Sequence, residues 1–401
     1  LPNIYVILYI YVKIILGDKK MIRAFNKMDK PLLILSIFMF IFGLFMILDA
    51  SSMKSFLNTG ENTKYFFRQL IFLVSALVMA IIIIRKPLKK YNKLIFLIAG
   101  VLILMLIFLL VAGEETSAGV KSWIYIGPFG LQPSEFAKVA LILFTGVYYQ
   151  MNQKRLDNPV VALTPLVLGA IFTILTLLQP DGGTGLILFF ISVILFYSSN
   201  VSKEIKVKTT FAGLVVVVII LLILLVTGGS ALTGMQKSRF NYKKPCTRYQ
   251  EDTGYQVCNG YIAINNGKLF SIEPGNSKQK YLYLPEAYTD FIFPIVVEDM
   301  GLITGIVVIL IYMIIIIRIF MIGLRSYNIV NRTICYGVAS YILLHVVINL
   351  TGVLGLVPLT GVPLPFLSYG GSFALTLAIG LALVQRVSIE NYNFLQKKVL
   401  K

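Results

Sequence analysis

The chain has 401 residues, of which 57% are hydrophobic and only 13% are charged. Soluble globular domains contain about 25% charged residues, so this composition excludes an ordinary soluble protein and indicates one that crosses a membrane many times. The net charge of +18 is spread over short loops between apolar runs, which is the pattern of cytoplasmic loops and excludes a nucleic-acid partner.

The first 27 residues form a predicted cytoplasmic or interfacial extension. Residues 4–16 are apolar, but Lys13 interrupts them and they are shorter than the roughly 20 residues that a membrane span needs. They either lie at the membrane interface or precede a protein that starts at Met21. The basic residues from Lys19 to Lys30 are expected to stay in the cytoplasm.

Residues 28–390 form the predicted membrane domain, which we expect to be all-α with about ten transmembrane helices. A large extracellular loop, 228–291, follows the seventh helix, and a basic cytoplasmic tail occupies 391–401. The predicted spans are about 31–49, 66–84, 94–112, 134–150, 160–178, 185–199, 210–227, 292–317, 334–352 and 372–385.

Basic residues concentrate in alternate short loops, and acidic residues concentrate in the others. Because cytoplasmic loops are rich in Lys and Arg, both termini are predicted to be cytoplasmic. The acidic residues then lie on the outer face, which is where we expect the chemistry. The sequence has no GxxxxGK[ST] phosphate loop.

Four stretches on the outer side carry candidate functional residues. In 121–141, Ser134 is placed to cap a helix, and Glu135 and Lys138 are spaced to pair; function and structure explain that pair equally well. QPDGGTG at 179–185 puts Asp181 in a turn between two spans, as either a structural turn or a polar or metal contact.

The third stretch, 281–299, holds Glu286, Asp290, Glu298 and Asp299 beside an apolar span. Carboxylates at such a boundary are costly to desolvate, so they usually have a partner or a function, and we predict that Asp290 is a catalytic base. The fourth stretch, 358–372, is rich in Pro and Gly. It is expected either to line a cavity or to be a rigid connection.

The large outer loop supplies cations such as Arg239 and Lys280, which could hold a pyrophosphate, although a solvated loop is the simpler explanation for any one of them. Cys246 and Cys258 also lie there, and a disulfide between them is compatible with the outer face. His345, the only histidine, lies within a span, where a hydrogen-bonded packing role is the more common one.

Together, KSWIYIGPFGLQPSEFAK, QPDGGTG, YLPEAYTDFIFPIVVEDMGLIT and PLTGVPLPFLSYGGS closely resemble the motifs of the SEDS family (shape, elongation, division and sporulation). The resemblance covers about residues 28–390 and favours the FtsW branch over the RodA branch. The Lys- and Ile-rich composition is similar to that of a low-GC Gram-positive member.

The resemblance implies a peptidoglycan glycosyltransferase that polymerises lipid II at the outer face of the cytoplasmic membrane, using a growing glycan on undecaprenyl pyrophosphate as donor. The family's catalytic Asp maps to Asp290 and a second acid to Glu298. Glu135 and Lys138 match the QPSEFAK pair, and Ser368 lies in the SYGGS motif. A class B penicillin-binding protein and other division proteins are the implied partners.

A base must take the proton of the acceptor hydroxyl, and positive charge must stabilise the leaving pyrophosphate. Arg239, a neighbouring Lys, or a divalent cation such as Mg²⁺ or Mn²⁺ is expected to supply that charge.

Two other functions fit parts of the pattern. A precursor flippase or other transporter would move lipid without making glycan, and a non-catalytic division scaffold would tolerate loss of the outer acids. The sequence also departs from the family at 265–276, where relatives have a more glycine-rich segment, and at Lys121 and Ser122, where many carry Arg.

Overall fold

The computed structural model describes residues 19–113, 121–127, 129–226, 242–271 and 277–399. Within these ranges the chain forms twelve α-helices and one small β-hairpin. In chain order the helices are α1 (Lys19–Asn26), α2 (Lys30–Thr59), α3 (Lys64–Arg85), α4 (Leu94–Ala112), α5 (Pro133–Met151), α6 (Pro159–Leu177), α7 (Gly182–Ser198), α8 (Lys203–Val226), α9 (Asp252–Gly267), α10 (Ile292–Leu324), α11 (Ile329–Val353) and α12 (Gly371–Val399).

Each of the ten predicted spans falls on one of these helices. Seven described helices are long and apolar enough to cross a membrane, namely α2, α3, α4, α6, α10, α11 and α12. Helix α7 is apolar but has only 17 residues, and α5 and α8 also fall outside that group. The predicted all-α membrane fold is therefore confirmed, whereas the count of ten spans is not.

Two elements were not predicted from the sequence. Strands β1 (Ile124–Ile126) and β2 (Phe129–Leu131) form an antiparallel hairpin in which Tyr125 pairs with Gly130. Helix α9 lies within the large outer loop. Both elements are too short or too polar to give an apolar pattern of membrane-span length.

Helices α11 and α12 form the centre of the bundle. In their most apolar windows, 67% of the α11 residues and 72% of the α12 residues are buried, compared with 28% in α4. Helix α11 packs against α5, α7, α10 and α12, and Ile334, Val338 and Ile342 on it are fully buried. The peripheral helices expose apolar side chains, as expected where lipid is the solvent.

Helix α10 is broken at Gly301, whose φ of 86° is a left-handed conformation that favours glycine. The helix that restarts there donates two hydrogen bonds to the outer loop: Leu302 N donates to Lys268 O at 2.9 Å, and Ile303 N donates to Leu269 O at 3.3 Å. The short segment before the break is buried. It holds the preceding turn, which contains Asp290, inside the protein.

Several predictions from the sequence concern the outer loop and the ends of the chain. The disulfide between Cys246 and Cys258 is present and joins the turn at Pro245–Arg248 to α9. Arg239 lies outside the described residues. The domain boundaries at residues 27 and 390 stay predictions, although hydrogen bonds join the two ends: Lys27 Nζ donates to Asn393 Oδ1 at 2.6 Å.

Candidate active site

A cavity of about 830 Å³ lies where the four sequence motifs meet. It is bounded by the start of α5, the turn before α7, the turn before α10, the loop after α11 and the start of α12. Its wall includes residues from each motif, among them Glu135, Asp181, Thr289, Asp290, Thr360 and Tyr369. The convergence of segments distant in the sequence makes this cavity the candidate active site.

Asp290 lies on the wall of this cavity, in the turn that leads into α10, and the residue is 9% exposed. Thr289 Oγ1 lies 3.1 Å from Asp290 Oδ1 and can donate a hydrogen bond to it. Asn349 of α11 joins two backbone segments. Its Nδ2 donates to Asp290 O at 2.7 Å, in the turn before α10, and to Val362 O at 2.8 Å, in the loop after α11. The position of Asp290 is therefore set by a buried amide on the central helix.

Ser368 holds this turn from the other side. Its Oγ donates to Thr289 O at 2.5 Å and accepts from Leu364 N at 2.7 Å. Next to it, Tyr369 N donates to Tyr288 O at 2.9 Å. Ser368 is 2% exposed and is not among the described residues that line the cavity. The structure therefore places it as a residue that positions the Asp290 turn.

Three tyrosines pack beside the turn. The ring of Tyr65 on α3 lies 4.9 Å from that of Tyr288 and 5.3 Å from that of Tyr369, between centroids. Burial raises the pKa of Tyr369, so its phenol stays neutral at physiological pH. Since Tyr369 lines the cavity, it offers a ligand a neutral hydrogen-bonding group.

Glu135 and Lys138 form a buried ion pair at the start of α5, with Oε1 and Nζ 2.7 Å apart. Lys138 Nζ also lies 2.9 Å from His345 Nε2, and His345 Nδ1 lies 3.1 Å from Pro363 O. Because a carbonyl oxygen only accepts, Nδ1 carries the proton and Nε2 accepts from Lys138. These contacts join the side of the cavity that holds Glu135 to the loop after α11.

Glu135 lines the cavity, but the positive charge of Lys138 is fully buried behind it. Glu135 Oε2 is buried without a hydrogen-bond partner among the described residues. The predicted pairing of Glu135 and Lys138 is confirmed. His345 is a hydrogen-bonded residue of the interior, as the more common role for a lone histidine predicts.

Asp181 has a structural role that the sequence left open. Its Oδ1 accepts from Thr184 N at 3.1 Å and caps the start of α7, while Oδ2 accepts from Gln132 Nε2 at 2.8 Å. An N-terminal carboxylate stabilises a helix through both the hydrogen bond and the dipole. Asp181 also lines the cavity, so the cap forms part of its wall.

Glu286 lines the cavity as well and is half-exposed. Its Oε2 lies 2.8 Å from Thr289 Oγ1, and its Oε1 lies 3.4 Å from Lys54 Nζ. Both Glu286 and Asp290 thus lie within hydrogen-bonding distance of the Thr289 hydroxyl, which has one proton to donate.

Glu298 and Lys280 are predicted site residues that the structure places away from the described lining of the cavity. Glu298 accepts hydrogen bonds from Asn266 Nδ2 at 2.8 Å, from Gln279 N at 3.1 Å and from Ser277 Oγ. Lys280 Nζ lies 2.7 Å from Asp49 Oδ1 and 3.7 Å from Asp299 Oδ1. These contacts attach the outer loop to α2 and α10.

The cavity wall is acidic. The described lining contains five carboxylates and neither Lys nor Arg, the carboxylates being Glu135, Asp181, Asp252, Glu286 and Asp290. Within the described ranges, no group of three or more His, Cys, Asp or Glu side chains is arranged to hold a metal ion. The described residues alone do not form a metal site, and the cation requirement stays a prediction.

The sequence did not indicate the roles of Asn349, Thr289 and Tyr369. Asn349 is separated from Asp290 by 59 residues, so its contact depends on the packing of α11. The one available signal was a buried amide in an apolar helix, since such a group requires a hydrogen-bond partner.

The family of FtsW/RodA/SpoVE cell cycle proteins matches residues 30–393. The chain belongs to this family. It is the family that the four motifs indicated, and its match covers the bundle and the whole described cavity. A multi-pass membrane protein is thereby established.

Curated relatives in the FtsW/RodA/SpoVE family are similar along almost their full length. A protein of Bacillus subtilis described as a probable peptidoglycan glycosyltransferase FtsW is 32% identical over 92% of this chain and 92% of its own. One from Wigglesworthia glossinidia brevipalpis with the same description is 33% identical over 93% and 96%. Since the two match about equally, the low-GC Gram-positive origin stays a prediction.

Two solved structures share the fold. A chain from a peptidoglycan synthase complex, described as coordinating polymerization and crosslinking, has a TM-score of 0.71 at 24% identity and covers 91% of this chain and 98% of its own. The rod shape determining protein RodA of Thermus thermophilus has a TM-score of 0.62 at 23% identity, with the same coverage. At these identities the likeness is one of architecture.

Proposed function

We propose that this protein is a peptidoglycan glycosyltransferase that polymerises lipid II into glycan strands at the outer face of the cytoplasmic membrane, for cell division. The observation that carries the proposal is the position of Asp290, on the wall of a cavity where all four family motifs meet. The FtsW descriptions of the relatives support both the reaction and the division role.

The reaction transfers a glycan from its lipid pyrophosphate to the 4-hydroxyl of the acceptor sugar. Asp290 takes the hydroxyl proton as the oxygen attacks the anomeric carbon, and the bond from that carbon to the pyrophosphate oxygen breaks with inversion. The pyrophosphate leaves with the bonding electrons. Asn349 and Ser368 hold the turn so that the carboxylate stays directed toward the acceptor.

The leaving pyrophosphate requires positive charge that the described cavity wall does not supply. We assign this role to Arg239 and its neighbouring lysine, Lys237, in the outer loop, or to a divalent cation bound together with the substrate. Lys280 is a weaker candidate, since it already lies beside two carboxylates. Lys138 is a weaker candidate for the same reason, since it already forms an ion pair with Glu135.

A class B penicillin-binding protein is the proposed partner, supplying the crosslinking that a polymerase lacks. The synthase complex with the same fold supports this pairing. Both termini are proposed to be cytoplasmic, because the basic loops lie on that side.

The test is a purified-protein assay with labelled lipid II, with and without the penicillin-binding protein. The unsubstituted protein is expected to make long glycan, whereas a flippase would only move the lipid across vesicles. Asp290→Asn should fold and lower the polymerisation rate by about 10²–10⁴-fold, the usual contribution of a catalytic base. Near-normal glycan from this variant would overturn the assignment.

Asp252→Asn is the matched control, since Asp252 lines the same cavity but belongs to α9 and to none of the four motifs. It is expected to retain most of the activity. If the wild-type protein moves lipid II without lengthening glycan, the transporter alternative replaces the polymerase.

A further inference from the structure

A second cavity, of about 520 Å³, lies at the opposite end of the bundle. Helix α5 begins at the candidate active site and ends at this cavity, whereas α11 begins at this cavity and ends at the candidate active site. Its volume falls in the range of about 300–1,000 Å³ that is usual for small-molecule sites. The proposed polymerase reaction makes no use of it.

Asn331 forms the buried floor of this cavity and is fully shielded from solvent. Its Nδ2 lies 3.3 Å from Glu390 Oε2. Because a carboxylate only accepts hydrogen bonds, the amide nitrogen must face Glu390, and this fixes the orientation of the side chain. The amide oxygen, Oδ1, is then buried without a hydrogen-bond partner among the described residues.

A buried oxygen of this kind calls for a donor from a ligand or water. Glu390 does not leave the floor negatively charged, since Oε1 accepts from Arg386 Nε at 3.2 Å and from Leu88 N at 3.1 Å. The ligand group that fits the floor is therefore a neutral hydroxyl or N–H rather than a cation.

The rim of the cavity is basic. Lys89 lines it, and the exposed side chains of Lys86, Lys93, Lys154 and Arg155 lie on the two loops that form its edge. Basic clusters between helix ends at a membrane surface attract anionic lipid headgroups. Charge at the rim and an acceptor at the floor together select an anion that also carries a hydroxyl.

We propose that this second cavity binds the phosphoglycerol headgroup of an anionic glycerophospholipid. The phosphate lies at the rim beside Lys89, and a glycerol hydroxyl donates to Asn331 Oδ1. Free glycerol 3-phosphate has the same chemistry, but the ends of membrane helices form the wall, which favours the lipid as the source.

The test places the full chain in nanodiscs of phosphatidylcholine containing increasing amounts of phosphatidylglycerol with a photoactivatable acyl chain. Crosslinking to the helix ends around this cavity is measured by mass spectrometry. Phosphatidylmethanol, which has the same charge but lacks the hydroxyls, is the matched lipid, and soluble glycerol 3-phosphate is the competitor.

Lys89→Ala is expected to weaken the apparent affinity for phosphatidylglycerol by about fivefold. Lys203→Ala removes an equal charge from an exposed side chain at the start of α8, which is not part of the cavity or its rim, and should leave the affinity unchanged. Asn331→Val is expected to remove the preference for phosphatidylglycerol over phosphatidylmethanol. If Asn331→Val does not fold, the two lysine variants still decide.

Equal weakening by both lysine variants would overturn the proposal in favour of diffuse surface attraction. Competition by micromolar glycerol 3-phosphate would overturn the lipid source and assign the cavity to a soluble ligand. Equal crosslinking of both lipids to the unsubstituted protein would show that water, and not the headgroup, occupies the floor.

Discussion

The stretch 286–299 carries two pairs of carboxylates with opposite surroundings. Glu286 and Asp290, the open pair, line the candidate active site. Glu298 and Asp299, the closed pair, are buried against the outer loop and take their hydrogen bonds from it. The sequence places all four at the edge of an apolar span and does not show which of them are buried.

The difference shows how the same residue type serves two purposes. A carboxylate that accepts several hydrogen bonds in the interior fixes the fold, and losing it leaves donors unsatisfied. A carboxylate on a cavity wall can meet a substrate at little cost to stability. The closed pair is therefore expected to affect unfolding, and the open pair to affect turnover.

Lys280→Met is expected to have the largest effect on stability. It removes the nearest cation from the buried carboxylate of Asp299 and the partly buried carboxylate of Asp49, and breaking a buried ion pair destabilises a protein by about 3–5 kcal/mol. The measurement is unfolding of the purified protein in detergent. Lys278→Met, at an exposed neighbour, is the control and should unfold like the wild type.

Glu298→Gln tests the closed pair directly. It weakens the hydrogen bonds to Ser277, Gln279 and Asn266 and should lower the free energy of unfolding by about 2–3 kcal/mol. The protein that remains folded should polymerise glycan at nearly the normal rate, as measured per folded molecule.

Glu61→Gln, at an exposed acid after α2, is the control for Glu298→Gln. If folded Glu298→Gln is as inactive as Asp290→Asn, the distinction between the two pairs fails and Glu298 belongs to the reaction.

Ser368→Ala should have an intermediate effect. It leaves Leu364 N without its partner and costs about 1–2 kcal/mol. It also frees the backbone of Thr289 next to Asp290, so the polymerisation rate should fall with little change in lipid II affinity. Ser75→Ala, which removes a hydroxyl bonded only within α3, is the control. An unchanged polymerisation rate would show that Ser368 contributes to stability and not to the reaction.

Glu286→Gln should have the smallest effect on stability. Its ion pair with Lys54 is 3.4 Å long, and both side chains are more than a third exposed, so the loss is below about 1 kcal/mol. Any change in the polymerisation rate then comes from the loss of the Glu286 carboxylate on the cavity wall. Comparison with Lys54→Met, which breaks the same pair from outside the wall, separates the two effects; equal rates for both variants would remove Glu286 from the site.

The sequence predicted the helices well because each span is a long apolar run. The motifs also pointed to Asp290, which lies on the cavity wall, while its catalytic role stays a prediction. The sequence did not predict which acids would be open or closed. Glu298 meets Asn266 across 32 residues and Lys280 meets Asp49 across 231. Such pairings depend on how α2, α10 and the outer loop pack, which no local pattern records.

The hydrogen bonds at Gly301 have a consequence for how the outer loop can vary. Lys268 and Leu269 are attached to α10 by their backbone carbonyl groups, which every residue type possesses. Side chains there can be exchanged without detaching the loop, provided that glycine remains at 301. The attachment therefore places a requirement on the residue type on α10 only, where position 301 must be glycine, and none on the loop residues.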